Sequence, residues 1–223
     1  MKQLTTHNNF VYLFFSLILL LFSAAVIVEF QGGWGEDIFS IVILIMLLMS
    51  IKSLNAERTW KWTIYIIIAS FVLLSIFGKM FSHEYSVYLI LFTLLIFFIQ
   101  AFIIAAKQVL LVGDIDGNKI IGSLTLYLLL GLIWAMIYLL ILSFDPQAFS
   151  GIEASTWQQA FSRVAYYSFV TLTTLGYGDI LPTNHIAEFF VYMEAIIGVF
   201  YMAIIVASLI SLRLASSSHS KDT

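Results

Sequence analysis

Apolar residues run through this chain in long stretches set apart by short polar breaks. A helix needs roughly 20 mainly apolar residues to cross a bilayer, and six stretches approach that length or exceed it. They are Phe10 to Val28, Ile38 to Leu54, Trp62 to Phe77, Tyr85 to Ala106, Ile120 to Phe144, and Ile186 to about Leu214. The first is ended by Glu29, Gln31 and Gly32-Gly33, and the uninterrupted part of the second is short enough to need Lys52 to snorkel to the interface. Trp60 and Trp62 suit an interfacial aromatic belt. Between the fifth and sixth stretches lies a shorter amphipathic run, Trp157 to about Thr171. Thr156 and Gln159 before and inside it have the spacing of an N-terminal capping box. This run predicts a half-length re-entrant helix.

Composition agrees with a chain built for lipid. The 223 residues are 61% hydrophobic and 10% charged, with mean hydropathy +1.01, which excludes a soluble globular domain. The net charge of −3 says little about partners, and no basic patch fits nucleic acid. There is no cysteine, which excludes disulfides, thiolate metal sites and cysteine nucleophiles. The first apolar run is longer than a signal-peptide core and has only Lys2 before it, so it reads as a retained transmembrane helix.

The basic residues set the orientation. With a cytoplasmic amino terminus, Lys2, Lys52, Arg58, Lys61, Lys107, Lys119, Arg213 and Lys221 fall inside, and Lys79 and Arg163 fall outside. Eight against two puts both termini in the cytoplasm of a multi-pass cell-membrane protein. It also puts the loop after Trp157 on the extracellular side.

That loop holds the polar chemistry. Tyr166 to Asp179 reads YYSFVTLTTLGYGD, with Thr173 and Thr174 before Leu175-Gly176-Tyr177-Gly178. Gly176 and Gly178 take positive φ without a Cβ penalty, so alternating them with L-residues lets successive carbonyls point to one side.

Thr171 to Asp179, TLTTLGYGD, is similar to the TMTTVGYGD signature of the potassium-channel pore-domain family, with Leu175 where valine is usual. The resemblance runs roughly from Gly113 to Leu214. It implies an all-α membrane protein with six transmembrane helices, a re-entrant pore helix and a filter loop, assembled as a homotetramer. On that pattern residues 1–112 are a four-helix segment, 113–214 the pore domain, and 215–223 a short cytoplasmic tail with no nucleotide- or calcium-binding domain. Carbonyls of Thr174, Leu175, Gly176 and Tyr177 would replace the hydration shell of K+, with Gly178 completing the filter and the Thr174 hydroxyl closing its inner end. Tyr177 would pack behind the filter.

Tyr166 and Tyr167 stand where many relatives have two tryptophans, and Tyr166 would brace Asp179 after the filter. Thr171 and Glu194 are further filter-support candidates. Val170 replaces a glutamate that supports the filter in some channels, so inactivation through that residue is not expected. Gly198 falls at the family's hinge glycine, although small residues in membrane helices also serve close packing. Val199, Met202, Val206 and Ile210 share its face at helical spacing and would line the cavity, the last two as a hydrophobic gate.

One feature departs from the six-helix channels. A voltage sensor needs repeated Arg or Lys along the fourth helix, and Tyr85 to Ala106 contains none. The expected function is passive K+ conduction without intrinsic voltage gating, with no cofactor beyond the permeant ion. Partners are further copies of the chain and membrane lipid. The alternatives are a nonselective cation channel, a non-conducting channel-like subunit, and a transporter subunit, although transporter filters usually come as four repeats in one chain.

Other polar residues read more plainly. Asp114-Ile115-Asp116-Gly117-Asn118 opens like a calcium loop but lacks the closing Glu, so a polar turn is expected. A carboxylate at Glu194, well inside the sixth helix, suggests function by default. It reads either as a proton-sensitive contact or as a brace on the pore helix. Arg163 reads as an interface anchor or a salt-bridge partner of Glu153 or Glu188, and His7, His83, His185 and His219 as surface residues. No nucleophile, base and orienting acid converge, so no enzyme is expected.

Overall fold

The computed structural model describes residues 9–27, 34–54, 58–81, 84–111 and 117–219, with backbone alone at 9, 27, 58–59, 79, 81, 84, 111 and 205–219. All six apolar stretches are helices: α1 (Asn9–Ile27), α2 (Trp34–Ser53), α3 (Arg58–Phe81), α4 (Glu84–Leu111), α5 (Gly117–Phe144) and, after the loop, α7 (His185–His219). The amphipathic run is α6 (Trp157–Leu172), flanked by two-residue strands β1 (Phe149–Ser150) and β2 (Leu181–Pro182). Several helices extend past the apolar runs that announce them. Thus α2 takes in Glu36 and Asp37 at its first turn and Lys52 at its last, each charge placed where the helix dipole favours it.

Among the described residues, Trp34–Ser53, Trp60–Gly78, Tyr85–Leu110, Gly117–Phe144 and His185–Ile204 are long and apolar enough to cross a membrane, and Phe10–Val26 is apolar but shorter. The candidate calcium loop at Asp114 to Asp116 lies outside the described residues, as do His7, His83 and the side chain of His219. Asn118 from the same linker accepts the Phe10 N–H at 3.2 Å, tying the start of α5 to the start of α1.

The pairs α1 and α2, α4 and α5, and α5 and α7 run antiparallel. At one end Lys52 closes α2 by reaching over the Tyr12 ring, 5.9 Å from its centroid, and Tyr201 of α7 donates to the Ser123 carbonyl of α5 at 2.5 Å. At the other end the Tyr88 hydroxyl of α4 donates to the Ser143 carbonyl of α5 at 2.6 Å, and its ring stacks on Phe144. The loop after α6 lies at this second end, with β1, β2 and the start of α7.

One apolar core runs from Phe10 to Ala187. Within it Phe161 of α6 lines a small cavity together with Leu20 of α1, Phe39 and Met46 of α2, Leu94 of α4 and Met136 of α5. Phe39 meets Trp157 at 6.0 Å and Phe161 at 5.2 Å between ring centroids. The leading helices therefore clamp α6 directly. Trp62 is 61% exposed, as an interfacial residue would be, but Trp60 is buried, stacked on Phe97 at 6.4 Å.

Candidate pore and filter segment

The site is built outward from α6. Thr156 caps its amino end in extended geometry, accepting the Gln159 N–H at 3.5 Å. Gln159 Oε1 accepts from Ser155 N–H at 3.1 Å. The reciprocal bond thus reaches one residue further back than an ideal capping box.

At the carboxyl end the chain turns back on its own helix. Val170 O accepts the N–H groups of Leu175 at 2.9 Å and Gly176 at 3.2 Å, and Thr171 O accepts Thr174 N–H at 2.9 Å. In a planar trans peptide the carbonyl of the preceding residue points opposite to the N–H. The carbonyls of Thr173, Thr174 and Leu175 therefore point away from α6, to one side. Backbone φ is +60° at Thr174, +56° at Gly176 and +78° at Gly178, so every second residue is left-handed. The glycines do this freely, whereas a β-branched threonine there stores strain of about 1–3 kcal/mol. The left-handed Thr174 is a feature that glycine spacing does not announce. Residues 173–179 are exposed, with Leu175 55% and Tyr177 66% accessible.

Beyond Asp179 the chain is pinned. Ile180 is buried, and β2 pairs antiparallel with β1 through Phe149 with Pro182 and Ser150 with Leu181. Gly151 has φ +81°, and a Cβ there would strike the Asp179 carbonyl. Thr183 N–H donates to Ala148 O at 2.9 Å, and Asn184 Nδ2 donates to Asp145 at 2.7 Å while its Oδ1 caps α7 at Ala187 N–H. The Tyr166 hydroxyl lies beside the Asp179 carboxylate. Arg163 lies over the Tyr166 ring and donates to Gly151 O at 3.0 Å. It therefore pairs with neither Glu153 nor Glu188; Glu188 faces His185 at 3.1 Å instead. Arg163, Gly151, Asp179 and Tyr166 close a ring around the outer end of the segment.

Residues 124–213 match a family model described as ion channel. This stretch is similar to the ion-channel family. No curated protein and no solved structure matched the chain. The match opens inside α5 and closes inside α7, so it spans the helix, loop and helix just described.

Within this stretch the remaining candidates fall behind the loop. Tyr167 is buried among Tyr138 and Phe149, ring centroids 5.4 and 5.5 Å away, and its hydroxyl lies near Thr171 one turn on. Glu194 is fully buried. It receives the Tyr138 hydroxyl at Oε2 and lies 2.5 Å from Ser168 Oγ at Oε1. Ser168 also reaches the Gly131 carbonyl at 2.8 Å, where α5 and α6 approach so closely that a Cβ on Gly131 would fall 2.5 Å from the Phe169 ring. Tyr138, Ser168 and Gly131 escape a sequence reading, since partners 26 and 56 residues from Glu194 leave no spacing signal. The demand of a buried carboxylate for partners is the clue that could have prompted the search.

On α7, Gly198 is buried against the Leu172 carbonyl, 2.5 Å from where a Cβ would lie. Close packing explains this glycine without a hinge. Val199 and Met202 are 54% and 51% exposed on the single chain. The side chains of Val206 and Ile210 lie outside the described residues.

Proposed function

We propose that four copies of this chain surround one axis and conduct K+ passively through the Thr174–Gly178 segment. The observation that carries the reading is the alternation of left-handed residues at Thr174, Gly176 and Gly178, with neighbouring carbonyls turned to one side. One such strand cannot encircle an ion. Four strands form rings of oxygen from Thr174, Leu175, Gly176 and Tyr177 that substitute for the hydration shell, and the Thr174 hydroxyl closes the inner end. Tetramer assembly also gives the exposed Leu175 and Tyr177 side chains somewhere to pack.

In this reading α1 to α5 and α7 cross the cell membrane, α6 enters part way, and both termini are cytoplasmic. Irregular backbone at that depth is tolerated because protein surrounds it on one side and ions and water line the other. With no Arg or Lys repeated along α4, the membrane field has too little charge to act on, and gating is not intrinsically voltage-driven.

Liposomes containing the purified protein test the reading. They are expected to take up potassium or rubidium with little sodium. Gly176→Ala and Tyr177→Ala are each expected to abolish the uptake or its selectivity. Crosslinking that stops at monomer or dimer in active preparations would overturn the tetramer.

A further inference from the structure

We propose that Glu194 is a neutral carboxylic acid whose own proton closes a three-helix clasp behind the pore segment. Ser168 Oγ sits 2.8 Å from the Gly131 carbonyl oxygen and 2.5 Å from Glu194 Oε1. Each of these oxygen–oxygen contacts is short enough to require a proton in a near-linear bond. The carbonyl carries none and the serine hydroxyl carries one. The second belongs to Glu194. At its other oxygen, Oε2, the proton comes from the Tyr138 hydroxyl.

The order of donation is therefore fixed. Glu194 Oε1–H donates to Ser168, Ser168 donates to Gly131 O, and Tyr138 donates to Glu194 Oε2, so the bonds run from α7 to α6 to α5 and from α5 back to α7. An ionised Glu194 would leave two bare acceptors facing each other at one of the two serine contacts. The surroundings favour the neutral form as well. Glu194 is fully buried, and the titratable groups facing it are the phenols of Tyr127 and Tyr138 on α5 and Tyr167 on α6. No lysine, arginine or histidine among the described residues pairs with it. A buried carboxylate without a cation is costly enough that such a group takes up a proton instead.

The clasp bears on the pore through α6. Ser168 stands two residues before Val170, whose carbonyl holds the Leu175 and Gly176 N–H groups. Fixing Ser168 fixes the last turn from which the filter segment hangs, which makes Glu194 a positioning residue. The clasp is intact while the proton is bound and opens as pH rises through the titration of Glu194. The protonation state stands apart from the channel reading; only its effect on flux rests on that reading.

Infrared difference spectroscopy of purified wild type and Glu194→Gln in lipid reads the proton directly. The wild type should show a carboxylic-acid C=O band at neutral pH that the variant lacks. Ser168→Ala should shift that band, because the acid O–H loses its acceptor, and this shift reads the same proton should Glu194→Gln fail to assemble. On alkaline titration the band and potassium flux should fall together, the clasped fraction dropping about tenfold per pH unit beyond the midpoint. Flux through Glu194→Gln should not follow that fall, because an amide is neutral at every pH. Absence of a carboxylic-acid band assignable to Glu194 overturns the proposal. A band that titrates while wild-type flux stays level removes the positioning role. A titrating band in a protein that passes no ions sinks the channel reading and leaves the proton assignment standing.

Discussion

The Leu172 carbonyl faces Gly198 so closely that a Cβ there would come within 2.5 Å of the oxygen. This contact joins the end of α6 to the middle of α7, and backbone at a helix end cannot move aside as a flexible side chain would. Gly198→Ala is therefore expected to destabilise the protein by about 1–3 kcal/mol through overpacking. Thermal unfolding of the purified protein in detergent checks this, with a lowered midpoint expected. An unchanged midpoint would show that α7 can shift away from Leu172 at little cost.

Tyr166 and Asp179 lie side by side at a second junction, between α6 and the chain that follows Gly178. Tyr166→Phe keeps the ring under Arg163 and removes only the hydroxyl. Tyr166→Phe and Asp179→Asn are expected to be non-additive in a double-mutant cycle read by thermal unfolding. Potassium flux read alongside should fall or lose selectivity in either single variant. Additive effects would mean that the contact contributes nothing.

Gly151 tests the pinning strand. Its φ of +81° and its closeness to the Asp179 carbonyl leave no room for a side chain. Gly151→Ala is expected to cost at least about 1–2 kcal/mol from the left-handed backbone alone, again read as a lower unfolding midpoint. Gly117→Ala is the control, because nothing lies within 4 Å of its Cβ position and its φ is ordinary.

The helices were legible because lipid imposes long apolar runs, so Tyr85 to Ala106 and Ile120 to Phe144 announce themselves by length alone. The ends were less legible. Glu36 and Asp37 are polar yet helical, because the dipole favours acids in the first turn, and α4 runs on past Lys107, whose long stem can snorkel. The glycine run was readable as a strand of aligned carbonyls, but the left-handed Thr174 was not, since that residue type argues against such a backbone. Helix partners were the least legible. Nothing along the chain says that Phe39 packs on Phe161, or that Glu194 finds Tyr138 and Ser168, because lipid-facing and core-facing residues are equally apolar and leave no amphipathic stripe to orient a helix.

The basic side chains also yield an expectation about gating. Moving one charge through 100 mV is worth about 2.3 kcal/mol, so steep voltage dependence needs several charges in the field. Within Tyr85 to Ala106 there are none, and Lys107 comes after. Purified channels in symmetric potassium are expected to give a shallow conductance–voltage relation. A steep sigmoid would require a charge-bearing element elsewhere in the fold.

The central claim is that the backbone of Thr174 to Gly178 discriminates potassium from sodium. A planar bilayer holding the purified protein, with potassium on one side and sodium on the other, measures this directly as a reversal potential. The account predicts a potential displaced strongly in the direction that opposes potassium efflux, and its collapse in Gly176→Ala. A reversal potential near zero in the wild type would contradict it.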